Sequence, residues 1–269
     1  MNVFNIENLR CSYKKKGDTV VFIENLQIPK GKMTVILGRS GSGKSTLIEA
    51  LGLMNNTIQE GSVQYFSPDG EIDLAQIWKK SETVAKIRKN HYSFIFQDDY
   101  LMPHYTCSEN MLIARLIQGN IDTRIAKGLQ DHTMAGLNLT DKDIKRRYPF
   151  EVAGGQKQRL SFTRAVLKEF DILFGDEPTG NLDYKNSNDL FEFIRSILGQ
   201  KQRSALIVSH NIELSVEKAD KIIVLTPSAD QTRSFFEMKS RHVFHRGMNN
   251  EWMNFPEPEE LVKFIQSIL

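Results

Sequence analysis

Two short runs carry the residue types needed to hold and cleave a polyphosphate. The first is Gly38-Arg39-Ser40-Gly41-Ser42-Gly43-Lys44-Ser45-Thr46, which fits G-x-x-x-x-G-K-[ST] from Gly38 to Ser45. Its glycines let the backbone curl so that several N–H groups converge on phosphate oxygens, and a helix starting there directs its positive end at the same place. Lys44 would neutralise β- and γ-phosphates, and Ser45 would ligate Mg²⁺. The second run, Ile172-Leu173-Phe174-Gly175-Asp176-Glu177, is a short apolar stretch ending in adjacent carboxylates. By itself such a run is more often a strand ending in a solvated turn. Beside a phosphate loop, Asp176 would hold Mg²⁺ through its water shell and Glu177 would polarise a water that attacks the γ-phosphate.

The elements that must position these groups follow from periodicity. Strands are expected at Val20–Ile28, Met33–Leu37, Ser62–Phe66, Tyr92–Phe96, Ile172–Phe174, Ala205–Val208 and Lys221–Leu225, with helical patterns between most of them. The second strand runs directly into the glycine loop, and a helix follows to about Leu53. That alternation implies an α/β core with a largely parallel sheet. From Thr106 to about Leu137 the pattern is purely helical, apolar residues being punctuated by Glu109, Arg115, Arg124 and Lys127, so a helical subdomain is expected to interrupt the core. Another helix is expected over Lys157–Glu169. Near the end, Arg233–Lys239 and Arg241–His245 suggest a short hairpin. Pro256 and Pro258 with Glu257, Glu259 and Glu260 suggest the start of an amphipathic helix whose Leu261, Phe264, Ile265, Ile268 and Leu269 share one face. Packing of that face on the chain's own core is the simpler reading, because its polar face lacks the Lys/Arg richness of a membrane-surface helix.

Bulk properties exclude several classes. With 269 residues, 40% of them hydrophobic, the chain can bury a substantial core. Thirty-five basic and 33 acidic side chains leave a formal +2, which gives no electrostatic argument for nucleic acid or an anionic membrane surface. Lys14-Lys15-Lys16 before Gly17-Asp18 reads as a solvated turn. Cys11 and Cys107 lie far apart without partners at metal-ligand spacing, so neither a disulfide framework nor a zinc site is expected. No window reaches the roughly 18 uncharged apolar residues of a membrane span, so any membrane association is expected through a partner.

A third run adds a family resemblance. Val152-Ala153-Gly154-Gly155-Gln156, followed by Lys157-Gln158-Arg159 and lying ahead of Asp176, resembles the signature L-S-G-G-Q of ABC (ATP-binding cassette) ATPases. Further motifs agree in order: Gln97 resembles the Q-loop, Asn181-Leu182-Asp183 the D-loop, His210 the switch histidine and Tyr13 the aromatic residue that stacks on adenine. The resemblance covers about Asn2 to Thr226. It implies a P-loop NTPase core with a mostly parallel sheet, an antiparallel β subdomain at the N-terminal side and an inserted helical subdomain at about 98–160. The nucleotide-binding domain would span 1–226, with 227–269 a C-terminal extension.

The resemblance also implies a head-to-tail pair of cassettes, each ATP lying between one copy's Gly38–Thr46 loop and the other's Val152–Gln156 segment. Glu177, His210, Lys44 and Gln97 would act in hydrolysis. Ser45, Gln97 and Asp176 would hold Mg²⁺, Tyr13 would take the adenine, and Asp183 would reach the nucleotide region. The signature serine is replaced by Ala153, which removes a hydroxyl donor to the opposing γ-phosphate. The stretch Asp176-Glu177-Pro178-Thr179-Gly180-Asn181-Leu182-Asp183, with Phe94-Ile95-Phe96-Gln97, is most similar to cassettes of the lipoprotein-release, macrolide-efflux and cell-division type. Such cassettes serve a separate permease, which would dock near Gln97–Tyr105 at the inner face of the cytoplasmic membrane. A soluble ABC ATPase without a transport role, a small-molecule P-loop kinase and a weakly active regulatory cassette remain as other readings. A DNA- or ribosome-directed ATPase should show coiled-coil insertions, tandem cassettes or a basic stripe, and a kinase would have no use for Val152–Gln156.

Overall fold

The computed structural model of the chain describes every residue except 14–17, 120, 181, 229–234, 248 and 250, with backbone alone at 142, 200 and 201. The Lys14–Gly17 turn and Asn181 therefore lie outside the described residues. The chain opens with an antiparallel pair, β1 (Asn2–Cys11) and β2 (Val21–Pro29), then β3 (Met33–Gly38), α1 (Lys44–Leu51), β4 (Ile58–Ser67), β5 (Gly70–Asp73) and α2 (Ser81–Asn90). After β6 (Tyr92–Ile95) come three helices, α3 (Cys107–Gln118), α4 (Thr123–Gly136) and α5 (Gly154–Leu167). The α/β pattern then resumes with β7 (Ile172–Asp176), α6 (Tyr184–Lys201), β8 (Ser204–Val208), α7 (Ile212–Lys218), β9 (Lys221–Pro227), β10 (Phe236–His245) and α8 (Pro258–Ile268).

All described strands join one mixed sheet in the order β5-β4-β1-β2-β10-β9-β3-β8-β7-β6. β9, β3, β8, β7 and β6 are mutually parallel, and β5, β4, β1 and β2 are antiparallel. The parallel strands are mostly apolar and almost wholly buried because both faces are covered. Along β3, Ile36 packs with α1 residues Leu47 and Leu51 and with β1 and β2, while Val35 and Leu37 pack on the other face with Phe191 and Ile194 of α6 and Leu261 of α8. The three inserted helices have a small core of their own, with Cys107, Met111, Met134, Ile144 and Leu160 at its centre. α3 begins in a capping box, Thr106 with Glu109, whose reciprocal bonds fix its start. Among the described residues no helix is long and apolar enough to cross a membrane.

Two readings of the sequence need correction. The segment expected as a hairpin, Arg233–Lys239 with Arg241–His245, is within the described residues a single bulged strand, β10. Residues 236–238 pair parallel with Val21–Ile23 and antiparallel with Leu225–Pro227, and the register then shifts between Met238 and Val243. One strand here satisfies the backbone edges of both β2 and β9 at once, so no second strand is needed between them. β1 was also absent from the expected strands, because Asn5, Glu7 and Asn8 break its apolar alternation. Phe4, Ile6, Leu9 and Cys11 are nevertheless fully buried.

Candidate functional site

The glycine loop is shaped by its neighbours. Buried β3 ends at Gly38 and α1 begins at Lys44, with Gly43 as its N-cap at φ +80°. A Cβ on Gly43 would lie 2.2 Å from Val21 Cγ2, so both the left-handed backbone and the space demand glycine. Gly41, at φ +76°, makes the other left-handed turn. Arg39 and Ser40 are exposed on the rim, whereas Ser42 and Lys44 are buried. The Lys44 ammonium donates to the carbonyls of Gly38 and Arg39, each at 3.0 Å, and so spans the loop it would share with a phosphate. Burial pushes its pKa down, opposed by the nearby charges of Glu177 and Asp176. Ser42 Oγ is buried with no hydrogen-bond partner. Tyr13, itself 63% exposed, lies 2.8 Å through its hydroxyl from Thr46 Oγ1, which places the expected adenine platform against the start of α1.

β7 delivers the carboxylates to the same place. Burial pushes the Asp176 carboxyl up from the usual carboxylate range, the adjoining Ser45 hydroxyl working the other way. Asp176 Oδ1 is buried without a hydrogen-bond partner. Glu177 follows in the left-handed region at φ +49°, its N–H donating to Val208 O at 3.1 Å. Its Oε1 lies 2.6 Å from His210 Nε2. His210 leaves the end of β8 just before Asn211, whose side chain caps α7 by accepting from Leu214 N at 2.8 Å. Gln97, Glu177, Gly180, Ser209 and His210 border one cavity of about 320 Å³. A carboxylate held by an imidazole beside a cavity that admits water can polarise a water molecule, and the lysine loop nearby can hold the phosphate under attack.

The remaining expected site residues stand apart. Val152 is buried among the inserted helices, and Ala153 is the N-cap of α5 without a side-chain acceptor. Its N–H donates instead to Gln156 Oε1 at 3.0 Å. None of Val152, Ala153, Gly154, Gly155 and Gln156 borders the Glu177 cavity. Asp183 caps α6, accepting from Asn186 N at 2.8 Å.

Residues 23–180 match the ABC transporter family, more than half of the chain. The chain belongs to that family. A lipoprotein-releasing system ATP-binding protein LolD of Koribacter versatilis is 34% identical to this cassette over 75% of it and 86% of the relative. The protein of the same name from Rickettsia bellii is 30% identical over 84% and 96% respectively. Solved structures show the same fold. The ATP-binding cassette MJ0796, in a dimeric post-hydrolysis state bound to ADP and Pi, superposes with a TM-score of 0.69 at 22% identity, over 82% of this chain and 93% of that one. CbiO1 from Clostridium perfringens, part of the ABC transporter complex cbiONQ, gives 0.71 at 19% identity over 97% and 91%. The chain is an ATP-binding cassette of a family that hydrolyses ATP to power transport.

The structure also brings up residues that the sequence did not single out. Glu49 lies one helical turn after Ser45; burial, and after it the nearby charge of Asp176, pushes its carboxyl pKa up. Its i, i+4 spacing from Ser45 was the signal available. Gln158 donates from Nε2 to Pro178 O at 2.5 Å, tying the helix that carries the signature segment to the turn after Glu177. No local pattern announces that bond.

Proposed function

We propose that this cassette is the ATP-hydrolysing subunit of an ABC transport or mechanotransmission complex, working as a head-to-tail pair that sandwiches ATP and drives a separate membrane permease. The observation that carries the reading is the division of the site. Lys44, Asp176, Glu177 and His210 converge within one chain, while Ala153 and Gly154 at the glycine-rich start of α5 are exposed, do not border the cavity beside Glu177, and are open to a second copy's nucleotide. Glu177 is the base that polarises water, and His210 holds it in place. Lys44 and the Gly38–Thr46 backbone bind phosphates, and Tyr13 stacks on adenine. Val152–Gln156 and Asp183 serve the partner's ATP.

Mg²⁺ fits the residues present. Asp176 Oδ1 is buried and without a partner beside the Ser45 hydroxyl, with Gln97 on the neighbouring cavity wall. Among the described residues no group of three or more His, Cys, Asp or Glu is placed to hold a metal, so the ion would be shared with phosphate oxygens. Ser45, Asp176 and Gln97 would hold it, and it would supply charge neutralisation at those oxygens.

The nucleotide-binding domain is read as 1–226, carrying inserted helices at about 98–160, with 227–269 as an extension. A permease would dock against Gln97–Tyr105, a reading supported by the exposure of Tyr100 (63%) and Tyr105 (44%). Such a partner would hold the cassette at the inner face of the cytoplasmic membrane. The LolD relatives favour lipoprotein release or a related mechanical task at the membrane over small-solute uptake. The test is steady-state hydrolysis against ATP and enzyme concentration, with oligomeric state followed in parallel for the wild type and Glu177→Gln. Sigmoidal, concentration-dependent turnover, lost in Glu177→Gln as that variant accumulates as an ATP-bound dimer, is the expected result. Full turnover by a monomer, independent of enzyme concentration, would overturn the reading.

A further inference from the structure

Separate from the cavity beside Glu177, α7, α8 and the segment between β10 and α8 border a cavity of about 710 Å³, more than twice the volume beside Glu177. Its size falls within the range of small-ligand sites. Val216, Trp252 and Val262 give it an apolar wall, and Trp252, 4% exposed, donates from its indole N–H to Val216 O at 3.1 Å. Four carboxylates, Glu213, Glu217, Glu251 and Glu259, border it against two cations, Arg246 and Lys263. The Arg246 guanidinium is engaged by the protein: it sits 4.9 Å over the Trp252 ring and donates to the Val216 and Glu217 carbonyls. Lys218 hydrogen-bonds the Glu217 carboxylate at 2.7 Å and holds its pKa down, so that side chain is anionic. The space is apolar in body and negative at its rim.

Two connections run from this wall to the hydrolytic residues. α7 starts at Asn211's cap, immediately after His210, and ends at Glu217 and Lys218. Glu217 also accepts a hydrogen bond at 3.1 Å from Tyr184, the residue after Asp183. A group that draws on Glu217 therefore acts on the helix behind His210 and on the start of α6 together.

We propose that this cavity is a regulatory site for a small organic cation with an aromatic or branched apolar body, and that its occupancy changes the rate of ATP hydrolysis through α7. The apolar portion packs against Trp252, Val216 and Val262, while the ammonium faces the rim carboxylates. Binding stands on the cavity alone, and its effect on turnover rests on the ATPase reading above.

The experiment titrates the full chain calorimetrically with three probes that share an indole body: tryptamine (cationic), tryptophol (neutral) and indole-3-propionate (anionic). Hydrolysis is measured in parallel. Tryptamine is expected to bind roughly tenfold tighter than tryptophol, since several partly exposed charge pairs each contribute a few-fold, and indole-3-propionate is expected to give no binding. Glu251→Gln/Glu259→Gln, altered only on the rim, is expected to lose most of that preference while keeping its basal turnover. Tryptamine is expected to change wild-type turnover at saturating ATP at least about twofold, a shift of the size common in coupled sites, and to leave the double variant unchanged. Equal binding of the three probes, or no tryptamine binding up to about 10 mM, overturns the site. Selective binding without a change in turnover of an active enzyme overturns the coupling. A chain that binds tryptamine selectively but hydrolyses no ATP in any oligomeric state counts against the ATPase reading and leaves the site standing.

Discussion

Glu177 is held where a non-glycine residue costs about 1–3 kcal/mol in backbone strain, at φ +49° between β7 and the Pro178 turn. The strain is retained because the same backbone presents the carboxylate to His210 at 2.6 Å and is pinned by the bond to Val208 O. Glu177→Gln keeps the size and the turn but removes the basic oxygen, so turnover is expected to fall by about 10²–10⁴ with ATP affinity retained, measured by phosphate release and equilibrium nucleotide binding. Ala153 makes a second prediction at this scale. As N-cap of α5 it offers no hydroxyl. Ala153→Ser supplies a capping acceptor and a donor toward a facing γ-phosphate, and is expected to tighten ATP-dependent dimerisation by roughly one decade, consistent with one charge-assisted hydrogen bond. Unchanged dimerisation in a sedimentation titration would show that this position makes no such contact.

Between elements, a small polar cluster joins the β4–β5 turn to the starts of β6 and β7. His91 Nδ1 lies 2.6 Å from Asp171 Oδ2, His91 Nε2 lies 3.4 Å from Asp69, and Tyr65 donates to Asp171 at 3.1 Å. The hydrogen bond to Asp171 raises the His91 pKa above its ordinary value, outweighing burial. A raised folded pKa gives stability that is complete below the unfolded value of about 6.5 and is lost as pH climbs through the folded value. The urea midpoint of the wild type is therefore expected to decline over that window above pH 6.5. In His91→Asn it should start lower and lack this decline, and parallel curves for both proteins would dismiss the linkage.

At the scale of the whole molecule, β10 bridges the antiparallel strands to the parallel ones, since it lies between β2 and β9 in the sheet. α8 then buries Leu261 and Ile265 completely against the face opposite α1. Deleting 227–269 leaves the edges of β2 and β9 unpaired and strips that face, so the truncated chain is expected to aggregate or to lose cooperative thermal unfolding. Leu261→Ala alone is expected to cost about 2–5 kcal/mol in chemical denaturation, as for other large-to-small changes in a packed core.

The sequence by itself determined the parts whose geometry is local. A glycine loop between an apolar strand and a helix has its conformation set by contiguous backbone, and an apolar run ending in Asp176-Glu177 announces a buried strand with carboxylates at its end. The inserted helices and terminal α8 were likewise written in apolar spacing, since periodicity records which face is buried. Only the tertiary structure decided the contacts closed by distant segments: His210 against Glu177, Tyr13 against Thr46, Gln158 against Pro178, and the cavity under α8. The place of β10 belongs with them. Its residues alternate no more clearly than a hairpin's would, and what fixes it is the pair of open backbone edges that only the assembled sheet presents.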